Sequence, residues 1–507
     1  MREIGAMLLA IQRADTSDLS PAWYDTAQVV RAGLDRPGLL PEALVRAGLD
    51  TLLRVQHADG SWGYPPAPAG YRVVPTLAAA ATALTAAGTA RLGLELTARA
   101  GAAARAAIAF LTADPGRLAP ATLPDTIAVE FIVPALLMTL AGQLPDGTAD
   151  PVRAALRDHD AGVHVLNKLR AAPRLPAPAH YSMEVLGQPP PGFQPADYTR
   201  HGCVACSPAA TAAARSWRPD SDSSTEDYLV AEGTRLGGAW PTVAPVTVFE
   251  AAWIAGTAWH AGIRLPAMVV ARLAPWLAAQ VGEDGCGAGP ALAPDSDDTA
   301  IVLYALRALG QPASTRPLRG YERADYFATF PQERTTSLSA NAHVLEVLCD
   351  AWQAGERDPF VRRGIRKATD RLLATQAPDG CWDDKWHASP FYATACCVFA
   401  LRATGSPAAA RAIARAVDWV EQRQRPDGSW GGWTGTREET AYALQILLCA
   451  GGGSPALTPG AEFLSQPPDG ERLDVPLWHG KELYEPRRIV NASVLMTLDA
   501  CRRKEWR

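Results

Sequence analysis

The sequence predicts an all-α protein made of two related helical domains, and three observations predict it. Apolar residues recur at helical spacing in segments 75–87, 299–309, 340–352, 360–373, 408–422 and 440–450. Few segments alternate apolar and polar residues or concentrate β-branched side chains as strands do, and Pro/Gly-rich stretches separate the helices at short intervals. A signature also returns along the chain, as Gln56-x-x-Asp59-Gly60-Ser61-Trp62, Gln376-x-x-Asp379-Gly380-Cys381-Trp382 and Gln424-x-x-Asp427-Gly428-Ser429-Trp430.

Each element has a local cause. The helical segments are rich in Ala, Leu and Arg, which lose little freedom on entering a helix. Each repeat follows a helix: Asp-Gly turns the chain, and Trp can cover the helix end while its indole N–H finds a partner. The repeats are therefore expected to be staples with no part in chemistry. The last two copies lie one helical hairpin apart, a period that suggests circularly arranged helix pairs, as in an α/α barrel. A weaker relative spans 280–287, and the first copy lies far upstream, which gives two related domains in one chain. Two stretches read as irregular: the proline-rich 187–197 and the Ser/Asp-rich 216–227. Where the domains meet is the natural ligand site.

Composition narrows the function. A chain of 507 residues with 48% hydrophobic content fits a globular protein with substantial cores. Net charge is -5 and the charges are interspersed, so there is no nucleic-acid footprint. Charged residues near the N-terminus are wrong for a secretory signal, and no apolar span is long enough to cross a bilayer. Nine scattered cysteines suggest reduced thiols in a cytoplasm, and Cys203-x-x-Cys206 lacks the second pair that would argue for zinc. Glycine-rich nucleotide loops, GxSxG and HExxH are absent.

The stretch richest in chemistry is Asp295-Ser296-Asp297-Asp298. In a dry site, like-charge repulsion and desolvation would hold at least one of its three carboxyls protonated. By themselves the four residues fit equally a solvated acidic loop or a helix N-cap. Fifteen Trp outnumber ten Phe, and Trp240, Trp253, Trp386, Trp433 and Trp478 fall outside the repeats. Such rings stabilise a nearby cation by about 0.5–2 kcal/mol, although they also serve as ordinary core.

The acidic run resembles the DxDD motif of class II terpene cyclases, and the repeats resemble the QW motifs of that superfamily. Further segments match the class II diterpene cyclases in order: Tyr24-Asp25-Thr26-Ala27, Arg72-Val-Val-Pro-Thr76, Ser207-Pro208, Pro245-x-x-x-Phe249-Glu250-x-x-Trp253, Ser339-Ala-Asn341-Ala-His343, Asp384-Lys385-Trp386-His387 and Trp478-x-x-Lys481-x-Leu483-Tyr484. The resemblance implies a βγ architecture of two α/α barrels, with 1–18 and 243–507 forming β and 19–242 an inserted γ domain. It implies protonation of a prenyl diphosphate's terminal alkene, then cyclisation with the diphosphate retained.

By that resemblance Asp297 is the general acid, tuned by Asp295 and Asp298. An alkene is a very poor base, so the donor must be prepositioned and shielded from water, and hydrogen bonds must stabilise its emerging carboxylate. Asn341 or a histidine could supply them. Asp125-x-x-x-x-Glu130 matches the DxxxxE motif that in bacterial members serves Mg2+ and diphosphate. Arg72, Lys168 and Arg170 are candidate phosphate partners, and by the resemblance Asp384, Lys385, Trp386 and His387 would line the pocket. For termination, Asn341 stands at the Asn position of the plant His/Asn pair, but Tyr181 stands where the histidine would be. Tyr181, His180 or a water on Asn341 is left to take that role. No class I DDxxD is present, since the run from Asp383 to His387 lacks its final Asp.

The implied activity is cyclisation of geranylgeranyl diphosphate to a bicyclic copalyl-type diphosphate, passed to a separate class I synthase or phosphatase. Farnesyl diphosphate with a drimane-type product is the nearest rival. A squalene-type cyclase, an α/α-barrel glycan hydrolase or lyase, and a noncatalytic helical-repeat binding protein stand further off.

Overall fold

A computed structural model describes residues 2–194, 201–218, 223–331, 333, 335–467 and 475–506. Helices form where the periodicity places them, among them Val73–Ala87, Ser296–Ala308, Leu338–Gln353, Pro359–Thr375, Pro407–Glu421 and Arg437–Cys449. The only two-stranded pairing among the described residues joins Trp478–His479 to Leu483–Tyr484. Stretch 216–227 departs from expectation. The helix Pro208–Trp217 ends inside it and Ser224–Arg235 starts inside it. Glu226 and Asp227 suit a first turn, where backbone N–H groups favour anions. Residues 195–197 and 219–222 of the two irregular stretches lie outside the described residues.

Six helices close a ring in the C-terminal half. Thr247–His260 packs on Ser296–Ala308, then follow Leu338–Gln353, Pro390–Thr404, Arg437–Cys449 and Arg487–Arg503, which returns to Thr247–His260. Between successive ring members the chain runs back along Ala267–Ala278, a 3-10 turn at Arg316–Tyr321, Pro359–Thr375, Pro407–Glu421 or Leu457–Ser465. The ring helices therefore run in one direction and present their N-terminal ends at one mouth. The helix Arg2–Ile11 packs on Thr247–His260 and Ala267–Ala278, so the chain's first helix belongs with its last half.

A second ring joins Trp23–Asp35, Val73–Ala87, Val129–Gln143, the 3-10 stretch Ala177–Leu186 and Pro208–Trp217, which packs back on Trp23–Asp35.

The repeats act as staples, and the same atoms do the work each time. Gln376 Nε2 donates to Gly380 O at 2.7 Å and to Ala412 O, 2.8 Å away on Pro407–Glu421. Trp382 Nε1 donates to Leu372 O at 2.8 Å, and its backbone N–H donates to Thr394 Oγ1 at 3.0 Å. Gln56 with Trp62 and Gln424 with Trp430 repeat this set. The weak copy keeps one bond, Cys286 N–H to Thr299 Oγ1 at 3.0 Å, with cysteine where the others carry Trp. It leads directly into the acidic run.

The hairpin Trp478–Tyr484 ties the two rings together. Lys481 is fully buried, its Nζ 2.9 Å from Glu184 Oε1, 3.3 Å from Asp25 Oδ1 and 2.7 Å from Ser207 Oγ. Glu482 accepts from the backbone N–H groups of Trp23 at 2.6 Å and Tyr24 at 2.8 Å, satisfying the open end of that helix.

Candidate active site

Asp295 is the N-cap of Ser296–Ala308, in extended backbone, its Oδ1 accepting from the N–H groups of Asp297 and Asp298 at 2.8 Å each. The cap and the acidic run are thus one structure. Capping spends one carboxylate on backbone and starts the helix whose first turn carries the next two. Burial, with the neighbouring Asp297 charge adding to it, pushes Asp295 up to about 7. Asp298 is sealed in, and burial followed by the charge of Asp295 holds its carboxyl well above the ordinary range. Asp297 alone keeps partial exposure, with 14% of its side chain accessible. Of the three it is the most exposed.

His343 stands against it, Nδ1 to Oδ1 at 2.6 Å. Burial lowers the basicity of this imidazole, but the adjoining Asp297 carboxylate outweighs it, with a smaller push from Cys396, and His343 titrates well above its usual value. A histidinium donating to one oxygen of Asp297 stabilises the carboxylate that remains when the other oxygen gives up its proton. The helix bearing His343 is fixed by Asp384, which accepts from Ser337 Oγ and the N–H groups of Leu338 and Ser339 with one oxygen, and from Ser339 Oγ and Trp386 N–H with the other. Asp384 is therefore fully used as a cap.

Aromatic rings wall the mouth. Trp253 meets the His343 ring edge-on at 5.4 Å, and its indole donates to Tyr392 Oη at 3.3 Å. Tyr392 stacks on His387 at 4.8 Å and touches Trp478 at 4.8 Å, while Phe249 lies 4.4 Å from Trp253 and 5.4 Å from Trp478. These faces are dry, oriented and suited to passing positive charge.

Lys385 lies between the two ends of the site. Burial lowers its ammonium to about 8, against the opposing pull of Asp125, Asp297 and Glu130. One cation thus feels the acid and both members of the DxxxxE pair. It is held by Glu333 and Thr335 and lies 5.1 Å from the Trp386 ring centre. Asp125 and Glu130 are exposed, and the segment between them is pinned to the hairpin by Ile127 N–H to Gly480 O at 2.9 Å. No group of three or more His, Cys, Asp or Glu suited to a metal occurs among the described residues. Two carboxylates suffice for Mg2+, which takes its other oxygens from phosphate and water, so this donor set fits it.

The other candidates have these places. Asn341 is fully buried and spent: Oδ1 accepts from Phe327 N–H at 2.8 Å, and Nδ2 donates to Phe327 O at 2.9 Å and Ser337 O at 2.6 Å. It clamps a loop and has no donor left for Asp297 or a terminating water. Tyr181 bonds through its hydroxyl to Thr242 and lies 4.6 Å from Lys481 Nζ, sealing the contact between the rings. Arg72 pairs with Asp59 at 2.7 Å and with Ser61, inside the first staple. Lys168 is exposed on Asp160–Ala171, and Arg170 donates to Leu186 O at 2.9 Å. His387 is buried, its Nδ1 accepting from Ser389 N–H at 3.0 Å and its Nε2 3.3 Å from Glu438.

Sequence reasoning named His343 only as part of a matching segment and gave it no role of its own. His343 sits in the same short segment as Asn341, but two residues on a helix are turned by roughly 200°, so only one of them faces the acid.

The comparisons with known proteins follow the same lines. Residues 331–457 match the squalene-hopene cyclase C-terminal domain. Ent-copalyl diphosphate synthase of Streptomyces sp. (strain KO-3988) is 38% identical over 496 residues, covering 96% of this chain and 93% of that protein. Labda-7,13-dienyl diphosphate synthase of Streptomyces clavuligerus is 36% identical over 514 residues, covering 94% and 89%. The solved ent-copalyl diphosphate synthase from Streptomyces platensis superposes with a TM-score of 0.84 at 35% identity, covering 98% of each chain. Fold and site define a class II terpene cyclase. Within that class, the chain belongs to the bacterial class II diterpene cyclases and is an enzyme.

Proposed function

We propose that this enzyme cyclises geranylgeranyl diphosphate to a bicyclic copalyl-type diphosphate. The observation that carries the reading is Asp297: the most exposed carboxyl of the acidic run, held by His343 at 2.6 Å beside an aromatic wall. Relatives named copalyl and ent-copalyl diphosphate synthases, similar over nearly the whole chain, support the substrate and product class.

Asp297 gives its proton to the terminal alkene, and the electron pair of that double bond forms the new C–H bond. Internal double bonds then close two rings, and the last cation loses a proton to form an alkene. His343 holds the Asp297 carboxylate in the meantime, and Trp253, Tyr392 and Trp478 keep water out. Lys385 faces the diphosphate end, with Trp386 beside it. Asp125 and Glu130 would hold Mg2+, which when bound would neutralise and orient the diphosphate. The run from Asp383 to His387 lacks the final Asp of a class I DDxxD, so the diphosphate survives and ionisation falls to a separate class I synthase or phosphatase. Nine free cysteines suit a reducing cytoplasm, and no helix among the described residues is long and apolar enough to cross a membrane.

The test is a substrate panel of farnesyl diphosphate, geranylgeranyl diphosphate and squalene, with and without Mg2+, analysed after phosphatase treatment. A bicyclic C20 alcohol that appears only after phosphatase is expected. Turnover of squalene, or of farnesyl diphosphate alone, would overturn the reading. Glu130→Ala should weaken use of the diphosphate substrate and alter its Mg2+ response; an unchanged response removes Glu130 from the site.

A further inference from the structure

Two adjacent glutamates open the ring helix Arg437–Cys449, and both are buried. Glu439 is satisfied on each oxygen: Oε1 accepts from Ser389 Oγ at 2.6 Å and Gly432 N–H at 2.8 Å, and Oε2 from Thr436 Oγ1 at 2.8 Å. Glu438 is not. Three donors converge on its Oε1, from Trp478 Nε1 at 2.7 Å, Tyr442 Oη at 3.1 Å and His387 Nε2 at 3.3 Å, while Oε2 is buried with no hydrogen-bond partner. A bare carboxylate oxygen in a dry aromatic setting is costly to keep, and a buried group of this kind calls for a reason.

Its place in the ring gives one. Asp297 and Glu438 are each the second residue of their helices, and both helices start at the same mouth. Going round the ring from Ser296–Ala308, the third neighbour in either direction is Arg437–Cys449, so the two carboxyls stand on opposite sides of a six-helix ring at the same level. Trp253, Tyr392 and Trp478 lie between them. A chain protonated at one side and closed into two rings places its final cation toward the other.

We propose that Glu438 is the base that ends the cyclisation, taking a proton on Oε2 from a carbon next to the last cationic centre. The C–H bond breaks, its electron pair becomes the new double bond, and the proton goes to the carboxylate. Asp297 has lost one proton and Glu438 has gained one. Exchange with solvent on product release restores both.

The other polar groups here are already committed. His343 is engaged with Asp297, and His387 accepts a bond at Nδ1 and presents Nε2 to Glu438. Tyr392 accepts from Trp253, and Tyr442 bonds to Glu438. Trp478 Nε1 can only donate.

The inference rests on the cyclisation proposed above, and its test separates the two. Wild-type enzyme, Glu438→Gln and Glu439→Gln are compared on geranylgeranyl diphosphate with Mg2+, with products identified after phosphatase treatment. Glu438→Gln is expected to lower kcat about 100-fold, the scale of a lost general base, with KM little changed. Its residual product should shift to other double-bond positions or to a water-quenched alcohol. Glu439→Gln should lose stability and keep the wild-type product. If wild type forms no bicyclic diphosphate, the cyclisation reading fails. If it does, and folded Glu438→Gln matches it in rate and product, the base assignment alone is overturned. Should the glutamine variant not fold, Glu438→Asp decides, because it keeps the charge and withdraws the carboxylate by one methylene. New double-bond isomers are expected from it, and the wild-type product at the wild-type rate overturns the proposal.

Discussion

Replacing His343 by Phe removes the partner of the acid and keeps a ring of similar size against Trp253. In the wild type Nδ1 lies 2.6 Å from Asp297 Oδ1, and little of either side chain is accessible, 7% for His343 and 14% for Asp297. A hydrogen bond to a charged group contributes about 1.5–3 kcal/mol, and at about 1.4 kcal/mol per tenfold that is roughly 10–150-fold in rate. Burial favours the upper part of the range, since no water replaces the lost donor when Asp297 becomes a carboxylate. Single-turnover kinetics on geranylgeranyl diphosphate should show kcat reduced about 100-fold with KM little changed.

The pH profile supplies a second reading of the same variant. Because the folded-state value of His343 is raised, the stabilisation from this pair is fully present below the unfolded value near 6.5 and is lost as pH rises through the folded one. Wild-type stability should therefore hold above pH 6.5 and fall as His343 loses its proton, a limb that His343→Phe lacks. A folded His343→Phe with kcat within about threefold of wild type would refute the argument that the histidine stabilises the emerging carboxylate.

Asp295, pushed up from 3.8 to about 7, contributes stability that is present at low pH and lost as pH rises through 7. Asp295→Asn keeps the cap and removes that titration, so its denaturation midpoint should fall less than wild type's between pH 5 and 8; parallel falls would contradict this. Lys481→Met leaves Asp25 and Glu184 buried without their cation and should cost about 3–5 kcal/mol in chemical denaturation, the usual penalty for half of a buried ion pair; a loss below about 1 kcal/mol would show that the carboxyls neutralise themselves. Gly380→Ala puts a Cβ 2.4 Å from Arg415 O at a φ of +108° and should destabilise by about 1–3 kcal/mol. Gly310→Ala, at φ +76° with open space around it, should cost less.

What the sequence revealed was what short-range pattern encodes. Helical periodicity placed the helices, and the spacing of Gln, Asp-Gly and Trp named the staples, because each repeat closes within three successive α-helices. The acidic run was legible because an N-cap followed by two acids in a first turn is itself a local structure. Asn341 and His343 were not separable by type, since the distinction is which face of one helix meets Asp297. Glu438 and Glu439 are identical neighbours in sequence, and only the count of donors on each oxygen divides them. Lys481 pairs with Asp25 and Glu184, partners far away along the chain, which no local pattern announces. Arg72 and Tyr181 carried plausible chemistry and were claimed by a staple and by the contact between rings.

The central claim is that Asp297 is the proton donor, and Asp297→Asn tests it most directly by keeping shape and hydrogen bonding while removing the acid. With geranylgeranyl diphosphate and Mg2+, the variant is predicted to fold, bind substrate and return it uncyclised after phosphatase treatment. A correctly folded Asp297→Asn that forms the bicyclic product at the wild-type rate would contradict it.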